Sequence, residues 1–549
     1  MNNIQEVIPM TNTTTGTRNI ELDPSILGEA YLDGVQNIIG NISNLMDEED
    51  ERQKNMEHPY YIRQIFRDHP ECWDENSGVA LSQEQRNAAW SIANCKTRDI
   101  GDFTAEYCPK CGYSRLHYRS CGNRNCPNCQ YASQLEWVAN RKLEVVPGQP
   151  YYHLIFTCDH RLNILFAVNQ KPLIALFFTC VSAAIIEFCK DPRYLGATPG
   201  IISVLHSWTQ DLRHHWHLHC IVSGCGLTDD QRFVSILDVN RARHASRNSG
   251  NAKVTPTDDK GGEGSSDTFE GNDYFLPMKP LMNLVRNKFM DGLRKLWEER
   301  KLIIPESHPE WNDLTCWSEY CNDIASTKWV GKLVKAFHGQ GKVDAIEYLA
   351  RYVYRTAISN SRILSYDGKN VTFSVRDNDN PGETLTKVLP ADEFIHRFLS
   401  HVLDKGISRV RYSGFLSNSQ RAKNLRLIAA LTQNASMLER WPSSDSTNVC
   451  EGSAAELTTK SEADMSADEL ILKYFEKDIC KCPNCQAQMI VWPPRMHGKP
   501  LGDSAVIPQC SPEKRQHIDA LANRLKAQYA EGWKKIRELQ KRVSTQITA

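Results

Sequence analysis

The feature that most restricts how this chain can fold is a run of thiols, CPKCGYSRLHYRSCGNRNCPNC, in which Cys108-x2-Cys111 and Cys126-x2-Cys129 stand 14 residues apart. A C-x2-C turn aims two thiolates at one point, and two such turns close a tetrahedral sulfur site around Zn2+. The spacing predicts one structural zinc held by Cys108, Cys111, Cys126 and Cys129. Such a site has no open position for catalysis, and its free energy folds a segment with little core of its own. The competing reading is four buried thiols without metal. Cys95, Cys121 and His117 are left over, either as ligands of a second metal or as ordinary side chains. Arg115, Arg119 and Arg124, interleaved with Tyr113 and Tyr118, have the basic-aromatic character of a nucleic-acid binder, against the plainer reading of a solvated charged face.

Nineteen cysteines would suggest disulfides in a small secreted chain. Here the chain has 549 residues, and its start, MNNIQEVIPMTNTTTG, has no basic segment followed by an apolar one. Reduced cytosolic thiols that hold metal are the better reading. The length predicts roughly two to four compact units. A formal net charge of −1 excludes a polycation, so any nucleic-acid surface must be local. The most apolar run, LIALFFTCVSAAII (Leu173 to Ile186), has 14 residues and stops at Glu187. That is short of a bilayer span and predicts a buried helix, with no membrane partner.

The chain opens with a mixed lead-in, residues 1–55, that includes the acidic run DEEDE (Asp47 to Glu51). A zinc-binding, DNA-binding domain is expected over 56–140. A nuclease domain is expected over 141–375, with strands at PYYHLIFTC, GIISVLHSWTQ and HWHLHCIVSG. The Gly/Ser/Asp-rich stretch from Arg243 to Asn272 reads as a disordered insertion. KVDAIEYLARYVYRTAIS (Lys342 to Ser359) predicts a helix, and RILSYDGKNVTFSVRD a hairpin turning at Asp367-Gly368. The core would continue over 376–440, followed by a polar linker at 441–466. The last segment, 467–549, carries Cys482-x2-Cys485 and a basic helix. One C-x2-C is half a zinc site. Its missing ligands are His497, Cys510 or a different pair entirely, and the alternative is a redox or packing role; Cys480 stands just before the pair.

On a strand, residues two apart face one side, so in HWHLHC the rings of His217 and His219 project together while Leu218 packs the other way. That suits two imidazoles sharing one cation, although such a pair is more often a polar face or a core hydrogen bond. His214 and His215 read as loop residues ahead of the strand. The carbonyl of Gln210, near the end of the preceding strand, is a candidate third ligand of the oxygen type that magnesium or manganese prefers. In EYLARYVYRT, Tyr348 and Tyr352 are four apart and present their hydroxyls one helical turn apart. The plainer reading is an aromatic core stripe. Arg351 and Arg355, on a neighbouring face, suit phosphate contact or solvent.

A strand with H-hydrophobe-H followed by a helix with tyrosines resembles the HUH endonucleases. CGNRNCPNCQ, YYHLIFT, HSWTQDLRHHWHLHCIVSGCGL, YLARYVYRTAISNSRIL and EFIHRFLSHVLDKGISRVRYSGFL, in this order, resemble the two-tyrosine rolling-circle insertion-sequence transposases, the IS91-like group. The resemblance implies an α+β fold: an HUH domain with a central antiparallel sheet flanked by helices, preceded by the cysteine-rich zinc domain. It implies a cytoplasmic, nucleoid-associated enzyme that nicks and rejoins single-stranded transposon-end DNA, with hairpins, and transfers it to target DNA. Tyr348 and Tyr352 would be the nucleophiles of a 5′-phosphotyrosine mechanism. Mg2+ or Mn2+ would sit at His217, His219 and Gln210, and Zn2+ would be structural. Arg397, Arg409 and Arg411 are further candidates for holding structured DNA. Two readings compete: a plasmid relaxase or replication initiator, and a zinc protein that binds nucleic acid without catalysis.

Overall fold

The computed structural model describes, apart from isolated positions, residues 44–53, 61–100, 103–248, 275–337 and 345–441, and parts of 481–500. The first 40 residues, most of the polar insertion, the linker, Cys480, His497, Cys510 and the basic tail lie outside the described residues. Two compact units emerge. The first draws on Met1–Pro59, Asn94–Ser120 and Cys450–Ala549; the second on Tyr60–Ala93 and Cys121–Val449. The division therefore runs across the stretch 56–140, which the sequence reads as one zinc-binding domain.

In the first unit, β1 (Phe103–Tyr107) and β2 (Ser114–Tyr118) form an antiparallel hairpin. The chain turns between them through Cys108 and Cys111, with Gly112 at φ +74°, a conformation that glycine adopts without steric cost. A strand from far down the chain, Ile490–Trp492, pairs with the other edge of β1. The acidic run is helical, and Asp47 and Asp50 both face Arg98, at 2.6 and 3.0 Å.

The second unit is organised by an antiparallel sheet of β3 (Tyr151–Thr157), β4 (Thr198–Trp208), β5 (His214–Leu227), β6 (Phe233–Ser235), β7 (Val330–Phe337) and, entering later in the chain, the strand Val410–Gly414. From that last strand the order runs through β4, β5 and β3 to β7, with β6 on the far end of β5. The period-two alternation of these strands separates two cores. Leu154, Phe156, Ile201, Leu205, Leu218, Cys220 and Val222 face one of them. There they meet helices α2 (Gln170–Lys190), α3 (Met278–Glu298) and α4 (Leu314–Ser326). Ile202, Val204, Ile221 and Cys225 face the other core. This side is covered by α1 (Tyr131–Lys142), α5 (Ala345–Val353) and α6 (Arg421–Thr432). The α+β architecture read from the sequence is thus present.

Helix α2 outruns the apolar stretch that predicted it. Its 21 residues make it, among the described residues, long and apolar enough to cross a bilayer. Leu173, Ile174, Phe177, Val181, Ala184 and Ile185 recur at three- and four-residue steps and are buried, so the stripe is satisfied by the sheet. Helix α5 is shorter than expected. Beyond Val353 the amides of Tyr354 and Arg355 still reach back to Ala350 and Tyr352, and Thr356, Ala357 and Ile358 then continue as buried, non-helical chain. The Asp367-Gly368 hairpin forms as read: Gly368 has φ +88°, and Asp367 Oδ1 accepts the amides of Lys369 and Asn370 at 2.8 and 2.6 Å.

The sheet edge depends on one glycine. Gly414 lies opposite Gly200 at φ +62°, and a Cβ there would run into the carbonyl of Pro199. Gly414→Ala is therefore expected to destabilise the second unit by on the order of 3 kcal/mol, through backbone strain plus displacement of the edge strand. Chemical denaturation checks this; an unchanged midpoint would contradict it.

Candidate active site and metal centres

His217 and His219 project from the α5 side of β5, while Leu218 is buried in the opposite core. Their ring centroids are 5.0 Å apart. Strand β5 begins earlier than the sequence suggests, and His214 and His215 belong to it rather than to a loop. The third member of the group is His206 on β4, paired directly with His217 across the hairpin. One nitrogen from each of His206, His217 and His219 lies within 4.8 Å of the others. The sequence reading offered the Gln210 carbonyl as third ligand; the structure brings His206 to the histidine pair. Gln210 sits in the turn beyond Trp208, and its carbonyl accepts from Arg362 at 2.6 Å. It lies four residues beyond His206, past the end of the strand. His206 was legible in principle: counting outward from the turn at Asp211-Leu212 sets it against His217.

Each imidazole has one nitrogen anchored. His217 Nδ1 donates to the His215 carbonyl at 2.8 Å, and His206 Nε2 to the Tyr352 carbonyl at 2.7 Å. Carbonyl oxygens only accept, so these nitrogens carry the protons and leave His217 Nε2 and His206 Nδ1 as lone pairs. His219 Nδ1 lies 2.9 Å from Nε2 of His153, a fully buried histidine on β3 that sequence reading passed over. With His219 Nδ1–H donating to His153, His219 Nε2 is the third lone pair. His153 Nδ1 is then a buried donor without a partner, a costly arrangement of the kind found at functional sites. Burial pushes the His217 and His153 imidazoles down to about 4. Burial first, then neighbouring imidazoles, holds His206 and His219 well below the ordinary histidine range. All four are neutral at pH 7, the state in which imidazole binds metal.

Helix α5 lies over this face because Ile346, Leu349 and Ala350 fill the core beneath it. Tyr348 and Tyr352, on the adjoining stripe, face the histidines. Their hydroxyls are 2.9 Å apart. The Tyr352 ring packs on His219 at 4.1 Å, and the Tyr348 ring on His153 at 5.2 Å. Burial, then the hydrogen bond to Tyr352, pushes the Tyr348 phenol above the ordinary range. Arg355 is a cation felt at all three of His206, His217 and His219, joined by Arg409 at His206, and burial pulls the Arg355 guanidinium below the usual value. Arg351 is exposed. Beside Arg355 a recess of about 280 Å³ is lined by Asn128, Gln134, Tyr354, Ile358 and Arg362.

Several arginines expected on DNA also make contacts within the protein. Arg124 donates to the carbonyls of Ile407 and Leu403 at 2.6 and 3.1 Å, and Arg115 pairs with Glu106 across the β1–β2 ladder. Arg409 bonds Asn125, Arg397 reaches the Asp211 carbonyl, and Arg411 lies over Phe178 at 4.6 Å. Arg119 follows the end of β2.

The thiols divide differently from the spacing argument. Cys126 and Cys129 converge with Cys121, whose sulfur is 3.7 Å from that of Cys129. The amides of Asn123 and Asn128 point at the Cys121 and Cys126 sulfurs, each at 3.5 Å. Cys108 and Cys111 instead face Cys482 and Cys485. The expected Cys108–Cys111–Cys126–Cys129 tetrad is therefore corrected: the hairpin turn between β1 and β2 points its thiols at the C-terminal pair. His117 joins neither cluster among the described residues and turns to the Glu49 carboxylate, 3.8 Å away. Cys95 is buried and belongs to the first unit.

Comparison with known proteins bears on this arrangement. The sequence profile of a family described as "Putative transposase" matches residues 200–247 and 259–424, and that of a "Transposase zinc-binding domain" matches 65–158. The putative transposase y4qJ of Sinorhizobium fredii is 30% identical over 365 residues, 66% of this chain and 82% of that protein. The transposase for insertion sequence element IS801 of Pseudomonas savastanoi pv. phaseolicola is 27% identical over 342 residues, 58% of this chain and 71% of its own length. No solved structure matches.

Proposed function

The chain belongs to the IS91-like transposases with a zinc-binding domain, and from that premise we propose that it cuts and rejoins single-stranded DNA at the ends of its element through a tyrosine–DNA ester. One observation carries the reading: two hydroxyls 2.9 Å apart, with the Tyr352 ring packed on one member of a three-imidazole cluster. Tyr348, kept protonated, donates to Tyr352 Oη and stabilises negative charge there, which favours Tyr352 as the first nucleophile. Tyr352 Oη forms the new bond to phosphorus, the bond to the 3′ oxygen breaks, and the phenolic proton passes, through solvent, to that oxygen to give a free 3′-OH. The ester keeps the phosphodiester energy, so the reverse step needs no ATP. Tyr348 can then hold a second strand, as rolling-circle transfer to target DNA requires.

Three neutral nitrogen donors fit Mn2+ or a later first-row cation better than Mg2+, which favours oxygen. A cation bound there supplies positive charge to the scissile phosphate. Arg355 adds a fixed guanidinium suited to phosphate, and the recess beside it suits a flanking nucleotide. The Cys121–Cys126–Cys129 turn borders that recess through Asn128, so a structural zinc held there would stiffen one wall of the DNA path. The protein is read as a cytoplasmic, nucleoid-associated enzyme acting on hairpin-bearing ends. The test is incubation of the full chain with single-stranded end DNA and Mn2+, followed by denaturing electrophoresis. A covalent adduct is expected; its absence with end DNA, or its appearance only with plasmid-origin DNA, overturns the reading.

His153 acts here as a positioning residue, accepting the His219 proton so that Nε2 faces the cation. His153→Ala is expected to weaken Mn2+ binding by about 10- to 100-fold. His153→Gln, whose amide oxygen can accept the same proton, should recover most of it. Calorimetric titration of the full chain checks this, and unaltered affinity in the alanine variant counts against the role.

A further inference from the structure

We infer that Cys482 and Cys485 complete, with Cys108 and Cys111, one four-sulfur zinc site, through which the metal folds the C-terminal segment into the zinc-binding domain. The two C-x2-C turns are copies of each other. Cys108 N–H donates to the Tyr113 carbonyl at 2.8 Å and Gly112 N–H to the Cys108 carbonyl at 2.9 Å; Cys482 N–H donates to Ala487 at 2.8 Å and Gln486 N–H to Cys482 at 2.9 Å. In both turns the residue after the second cysteine is left-handed, Gly112 at φ +74° and Gln486 at φ +59°. A glutamine pays a steric penalty in that conformation that glycine does not.

The turns face each other. Cys108 Sγ is 3.5 Å from Cys485 Sγ, and Cys111 Sγ is 3.6 Å from Cys482 Sγ. All four sulfurs lie within 4.8 Å of one another. A tetrahedron with Zn–S bonds of about 2.3 Å has edges of about 3.8 Å, so the cage has the right size, and four thiolates favour zinc over hard cations. Among the described residues, the apolar packing around this segment is small. Its buried cluster is Cys108, Cys482 and Met489, with Tyr113, Cys485 and Ala487 against it. Such a cluster is too small to fold a segment alone, the situation in which metal binding supplies folding free energy. The strand Ile490–Trp492, just beyond the second turn, extends the sheet by pairing with Tyr107, Glu106 and Ala105. The matched zinc-binding domain ends at residue 158, so half of this site's ligands lie outside it.

The full chain, purified under reducing conditions, provides the test by elemental analysis of bound zinc. C108S/C111S and C482S/C485S are each expected to lose one equivalent per chain relative to wild type, and the quadruple variant no more than that one. A quadruple variant that loses two equivalents, or a C482S/C485S variant that loses none, overturns the single shared site. Because serine variants can unfold the segment, the wild-type chain is also labelled with maleimide and read by mass spectrometry. Cys108, Cys111, Cys482 and Cys485 should be protected together and released together by chelator. Immediate labelling of Cys482 and Cys485 while Cys108 and Cys111 stay protected overturns the inference, as does a chelator-insensitive disulfide.

Discussion

Replacing both Tyr348 and Tyr352 by phenylalanine is expected to abolish the denaturation-resistant adduct with single-stranded end DNA, a loss on the order of 10³-fold or more in strand cleavage. The double variant should remain folded. Phenylalanine keeps the ring that packs on His219 and on Phe337 and removes only the hydroxyl pair, so stability should change by about 1 kcal/mol at most. The single variants separate the roles. Tyr352→Phe should remove the first adduct. Tyr348→Phe should keep it, slowed by roughly 10- to 100-fold through loss of one hydrogen bond to the developing phenolate, and should fail in strand transfer. Wild-type adduct yield from the double variant would end this assignment.

The second large effect belongs to the imidazoles. His206→Ala, His217→Ala and His219→Ala are each expected to lower cleavage by about 10²- to 10³-fold, the usual consequence of losing charge stabilisation at a reacting phosphate. Gln210→Ala should stay within a few-fold of wild type, because the hydrogen bond it makes to Arg362 uses the backbone carbonyl, which alanine keeps. The ordering decides between the two ligand sets. A severe Gln210→Ala with a mild His206→Ala would restore the oxygen-ligand reading. Oligonucleotide cleavage rates at saturating Mn2+, beside Mn2+ titrations, distinguish lost affinity from lost chemistry.

What was legible in the sequence was local. Alternation placed Leu218 on one side of β5 and its flanking histidines on the other, and four-residue spacing put Tyr348 and Tyr352 on one helix face. Both follow from the repeat of a single element. What was missed depended on pairing between elements. His206 and His153 complete the site only through the β4–β5 and β3–β5 registers. The His206 register could have been counted from the turn, whereas nothing local announces His153 amid the apolar run YYHLIF. The hydrogen bonds of Arg124 to Leu403 and Ile407 were likewise hidden, because a charge in a polar stretch says nothing about carbonyls that arrive from far along the chain. The thiol partition failed for the same reason: two C-x2-C pairs close in sequence need not share a metal when a third pair is brought in by strand pairing.

That third pair sets a schedule for the chain's assembly. The sulfurs of Cys111 and Cys482 meet across 371 residues. At about 5–20 residues per second, the ribosome delivers the second turn roughly 20 to 75 s after the first. Throughout that interval the β1–β2 hairpin emerges with one edge unpaired and two of its cysteines lacking their partners. A polypeptide that stops short of Cys485 and the strand Ile490–Trp492 would carry this hairpin without the facing thiols and without its neighbouring strand.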